Sequence, residues 1–223
     1  MEKYYRNIGF YFLVLIIFIG LGFYYPYFSL FPDFISVSAM VHVHTLTLML
    51  WTLILITQPL LIRYEKYQAH KFLGRFTYFL VPLVVMTCAG VMHQQYHEYI
   101  ARGISPAQSL KVLFTPITDL LAIICYYLLA IVNIRKGNIA YHMRYMICLF
   151  LEFLPPTFGR TMGYWLNWGI FYTHVIAVAT GAIIIITLLV ADKKRNLDFT
   201  PYAVALGIYA LINGAWFAIG HPI

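Results

Sequence analysis

From Ser36 to Ile62 the chain runs without a single Lys, Arg, Asp or Glu. Wound as a helix, that stretch rises about 40 Å, more than the roughly 30 Å hydrocarbon core of a bilayer. Apolar runs of similar length recur at Ile8 to Tyr27, Phe72 to Val91, Leu110 to Asn133, His142 to Met162, Leu166 to Ala191 and Tyr202 to Ile219. Only 10% of the 223 residues are charged and 62% are hydrophobic, against about a quarter charged in a soluble domain. Backbone polar groups in hydrocarbon must bond within their own segment, so each run reads as a helix. The expected fold is therefore all-α: one polytopic domain over 1–223, a seven-transmembrane helix bundle.

The charge pattern tests the count. The net charge of +7 sits in short loops between the runs, where it orients the chain and does not bind nucleic acid. With seven spans, every Lys and Arg falls on the N-terminal side except Arg102, Lys111 and Arg160. That asymmetry predicts a cytoplasmic N-terminus and an external C-terminus. Pro155-Pro156 should kink or interrupt the fifth span. The polar excursion from Gln94 to Pro106 reads as a helical extension that Gly103 ends. Cys88, Cys125 and Cys148 each lie in an apolar run and read as small buried hydrophobes.

Ionisable side chains inside such runs are costly and mark candidate sites. His44, Trp51 and Gln58 recur at intervals of seven and share one helical stripe, with Thr47 beside it, predicted to face inward. His42, two residues from His44, is turned about 200° away and should pack sideways. His93 and His97 are four apart, a spacing that presents two imidazoles to one side. Asp119 needs a partner, for which Arg160, a histidine, a metal or the neighbouring Thr115 are candidates. Glu152 is either a site residue or an acceptor for backbone groups freed by the proline pair. His174 lies two turns before Gly181, where a small residue lets a helix or a cofactor approach. At the basic ends of spans, His70, Arg75, His142 and Arg144 either set topology and meet lipid head groups or form a cytoplasmic substrate or quinone-head site.

Gln58, Arg63, then His70-Lys71-x-x-Gly74-Arg75-x-x-Tyr78, with Tyr141-His142-Met143-Arg144-Tyr145-Met146 later, resembles the signature of a bacterial membrane-protein family designated domain of unknown function 2306. The resemblance covers the second to fifth spans and is closest to a Bacteroidetes-type branch. Lys71 departs from it where an arginine is commoner. It implies a multi-pass protein of the bacterial inner membrane and brings no established activity. The seven-span plan with intramembrane His and Asp is also similar in outline to the ceramidase and progestin-receptor superfamily, whose first motif Ser38-x-x-x-His42 echoes. The last-span His-x-x-x-His of that superfamily is missing here.

Three functions follow from these residues. The first is an outward-facing metal centre of His44, His93, His97, Asp119 and His174, holding zinc first, with iron or copper as alternatives. Asp119 and Glu152 would then serve as catalytic carboxylates on a lipid-soluble substrate. The second is a haem b protein with His44 and His174 as axial ligands, exchanging electrons with a quinone. The third is a transporter or binding protein without catalysis, built on the helix that the prolines break.

Overall fold

The computed structural model describes residues 3–219, except for the side chain of Ile170. Every regular element among them is helical. The α-helices are α1 (Ile8–Tyr24), α2 (Ala39–Arg63), α3 (Tyr67–Ala101), α4 (Pro106–Arg135), α5 (Ile139–Leu151), α6 (Leu154–Leu166), α7 (Ile170–Lys194) and α8 (Thr200–Ile219). Six helical segments among the described residues are long and apolar enough to cross a membrane, those containing α1, α2, α3, α4, α7 and α8. The chain is thus an all-α protein with the helices of a multi-pass membrane protein. The expected position of the C-terminus concerns residues 220–223 and lies outside the described residues.

Local chemistry sets the helix ends. Ser38 and Ser105 cap α2 and α4, their hydroxyls accepting from Val41 N and Gln108 N at 3.3 Å, and Pro106 opens α4 where its missing N–H costs nothing. The extension predicted beyond Gln94 is continuous helix, which makes α3 35 residues long, about 52 Å and well beyond a bilayer core. Gly103 ends it with φ of 82°. Its N–H bonds Ile100 O and the next N–H bonds Tyr99 O, the paired closure that a left-handed residue permits. Gly137 closes α4 in the same way.

The fifth predicted span is interrupted as the proline pair implies, and the sixth begins later than expected. The run from His142 to Met162 is two helices of 13 residues each, and Leu166 ends α6 where it was expected to begin the next span. α7 starts at Ile170 instead, after left-handed Asn167 and the N-cap Gly169. The break falls just before the prolines, at Glu152 and Phe153, whose N–H groups bond only three residues back. Pro155 and Pro156 have no N–H for the carbonyls of Leu151 and Glu152, so they open a new helix where a proline is tolerated.

The chain falls into two compact units. Unit 1 is Met1–Gly20 with Tyr24–Ile104, and unit 2 is Leu21–Phe23 with Ser105–Ile223. In unit 1, α2 and α3 form an antiparallel hairpin around Trp51, Ile54, Leu80, Val81 and Val84, all buried. Gly90 admits the Met40 side chain and Gly9 admits Leu60, each at a distance that a Cβ would violate. In unit 2, α4 packs on α5 and α8, and α7 packs on α6 and α8. Its core holds Tyr126, Tyr145, Cys148, Leu149, Tyr202 and Tyr209.

Candidate functional site

In unit 1 the α2 stripe faces inward as its phase requires: Trp51 and Thr47 are buried, and His44 and Gln58 are half-buried. His44 Nδ1 meets the Thr87 hydroxyl on α3 at 3.4 Å. His42 turns away and bonds the Tyr27 hydroxyl at 2.8 Å, with Phe34 edge-on to its ring. Gln58 donates to the His70 carbonyl at 3.2 Å, and Gly74 leaves room for that carboxamide. Arg75 is exposed. At the far end of α3, His93 and His97 stand exposed with their Nε2 atoms 3.1 Å apart.

In unit 2 the α4–α5 turn and the α7–α8 connection meet in a polar cluster. Arg144 is 1% exposed, and its Nε bonds Asp192 Oδ2 at 2.7 Å across to α7, where Asp192 is fully buried. The expectation that Arg144 is a loop cation meeting lipid head groups is therefore corrected: a buried carboxylate compensates it. Asp192 is not among the candidates drawn from the sequence, where it adjoins the basic run Lys193-Lys194-Arg195. A signal was present, because an acid in the last turn of a helix opposes the helix dipole and needs another reason to be there. His142 meets the Ala130 carbonyl at 3.0 Å. The Tyr141 hydroxyl donates to Asp198 at 2.6 Å, a bond that sequence reading also missed.

The interior of the same unit holds two carboxylates. Glu152 is 3% exposed and sits at the break between α5 and α6. Asp119 on α4 lies within electrostatic reach of it. Arg160 on α6 acts on Asp119, while its guanidinium donates to the Pro156 carbonyl and lies over the Phe23 ring. Neither Asp119 nor Glu152 accepts a hydrogen bond from a described residue. The expected donors are engaged elsewhere or absent: Thr115 offers only its carbonyl, to Thr118, and the backbone groups freed at the prolines are acceptors.

Two buried tyrosines belong to the same interior. Tyr126 and Tyr209 lie within electrostatic reach of Glu152, and Tyr209 also of Asp119. Their hydroxyls donate to the carbonyls of Ala205 and Val178, both at 3.2 Å, tying α4 to α8 and α8 to α7. Buried tyrosines scattered among thirty-six Tyr and Phe residues carry no distinguishing pattern, so the sequence did not single them out.

The metal set expected from sequence divides between the units. His44, His93 and His97 belong to unit 1, Asp119 and His174 to unit 2. Among the described residues no three His, Cys, Asp or Glu side chains come together as ligands. His174 stacks on Trp216 at 3.9 Å between ring centroids. The space beside Gly181 is filled by Tyr209 from α8, whose Cζ lies 2.9 Å from where a Cβ would stand. Between the two partners weighed for that glycine, the fold selects a helix. No protein-family model, curated protein or solved structure matches the chain.

Proposed function

We propose that the chain is a seven-span carrier or ligand-binding protein in which Asp119 and Glu152 take up a proton or a small cation. The observation that carries this reading is Glu152: a buried carboxylate without a hydrogen-bond donor among the described residues, at a helix break, within electrostatic reach of a second carboxylate. The break carries the negative end of α5 beside the positive end of α6, which begins at Leu154. The prolines free two carbonyls beside the carboxylate. One nearby cation, Arg160, stands against two carboxylates. Uncompensated charge in hydrocarbon is neutralised or paired, so the site favours a proton or a positive ion over an anion.

On this reading α5 and α6 are the two halves of one discontinuous span, each about 20 Å long and too short to cross alone. The N-terminus is then cytoplasmic and the C-terminus external, in a bacterial inner membrane. The Gln58 to Tyr78 pattern supports kinship with the family it resembles, and Gln58 and His70 of that pattern do meet in the fold. The metalloenzyme and haem readings have less support, since their ligands form no group of three and His174 is stacked under an indole.

Infrared spectroscopy of the protein in nanodiscs tests the reading. A protonated-carboxyl band should be present at neutral pH, fall in Asp119→Asn and Glu152→Gln, and bleach when the favoured cation is added. Bleaching should be matched by a rise in thermal stability that follows the logarithm of cation concentration. A spectrum without such a band, together with stability indifferent to every cation tried and to both substitutions, would remove the basis for the proposal.

A further inference from the structure

The end of α3 carries a second arrangement, independent of the carboxylate pair. His93 and His97 follow each other at one turn on a continuous helix, and their Nε2 atoms approach to 3.1 Å with ring centroids 4.4 Å apart. The two nitrogens are therefore within hydrogen-bond distance of each other at an exposed part of the helix. At a zinc–nitrogen bond of about 2.05 Å, a 3.1 Å separation subtends about 100° at the metal, between the tetrahedral and square-planar angles. The separation itself is one that two imidazoles bound to the same ion can adopt.

Beside the pair, the same turn of α3 is fastened to α2. Gln94 and Glu98 form a parallel bond one residue on, at 2.8 Å. Gln94 in turn accepts from the Ser38 hydroxyl at 2.7 Å, fixing this turn of α3 to the start of α2. Glu98 is thereby directed to Gln94, and no third protein ligand joins the two imidazoles among the described residues. We infer that His93 and His97 chelate one divalent transition-metal ion of imidazole preference, with water or a small donor ligand completing its coordination. Such a site is open on one side, a feature of metal centres that exchange ligands rather than only brace a fold. Copper(II) should bind more tightly than zinc, as the stability order of divalent ions dictates.

The test uses the full chain in nanodiscs, carrying no polyhistidine tag, titrated with copper(II) and with zinc. One copper ion should bind with the electron-paramagnetic signature of two nitrogen ligands. His93→Ala and His97→Ala should each weaken binding at least about tenfold and abolish the two-nitrogen signature, because either change destroys the chelate. Glu98→Gln should leave the affinity unchanged. Both histidines are exposed, so the variants fold, and thermal unfolding gives a second readout: metal should raise the midpoint of the wild type and not that of the double variant. A double variant that keeps wild-type stoichiometry, affinity and spectrum would overturn the inference. So would a wild-type protein that takes up neither ion.

Discussion

Arg144 and Asp192 hold opposite charges out of water at a short contact, and the cost of separating them is correspondingly high. Asp192→Asn or Arg144→Gln should each destabilise unit 2 by about 3–5 kcal/mol, because each leaves its partner buried and uncompensated. Replacing both by apolar residues of similar volume, as in Arg144→Met with Asp192→Leu, should recover most of that loss. Unfolding midpoints of the three variants in detergent measure this, and additive losses in the double variant would refute the ion-pair account. Gly181 makes a second prediction at this scale. A methyl group there meets the Tyr209 ring and hydroxyl, so Gly181→Ala should cost about 1–3 kcal/mol by overpacking. Combining it with Tyr209→Phe should relieve part of the cost, and a neutral Gly181→Ala would show that α7 and α8 are less closely seated.

Among the elements, the α7–α8 connection is latched to α5 through Asp198. The Tyr141 hydroxyl, followed by Thr200, holds the Asp198 carboxyl below its ordinary range, and the same bond pushes the Tyr141 phenol above its own. A depressed acid contributes stability above its unfolded value of about 4 and loses it as pH falls through the lower folded value. A raised phenol contributes below about 10 and loses it as pH rises through the higher folded value. The latch is therefore closed through the neutral range and opens at both extremes. Because both groups are largely exposed, it contributes at most about 1 kcal/mol. Amide exchange in the first turn of α8, corrected for its intrinsic pH dependence, should quicken below about pH 4 in the wild type. In Tyr141→Phe it should already be fast at neutral pH, and equal rates in the two proteins would argue against the latch. At this scale the sequence was informative about ends and breaks. Gly103, Gly137 and the proline pair mark helix boundaries through local backbone chemistry, which needs no knowledge of neighbours. The start of α7 was misread because Leu166 is as apolar as the run after it, and only the left-handed turn at Asn167 divides them.

For the whole molecule, the count of crossings turns on whether α5 and α6 traverse together. If they do, reporters fused at the two ends lie on opposite sides of the membrane, whereas a pair that enters and returns on one face leaves both ends on the same side. Paired fusions to an externally active phosphatase and a cytoplasmically active fluorophore read the answer directly, and matching locations would reduce the spans to six. Sequence alone determined the all-helical class, the places of the six long apolar helices and the inward stripe of α2, because hydrocarbon imposes length and polarity on each segment separately. It also marked Asp119, Glu152, His93 and His97, since an ionisable group in an apolar run is conspicuous without any partner. Tertiary structure decided which of them meet. Asp119 and Glu152 are 33 positions apart and come within electrostatic reach only when α4 packs on α5. Arg144 finds Asp192 across 48 positions, and Tyr209 reaches Gly181 because that glycine leaves room for its ring. Such pairings depend on how side chains of different helices interlock, and hydropathy, which ranks residues one at a time, carries no record of that.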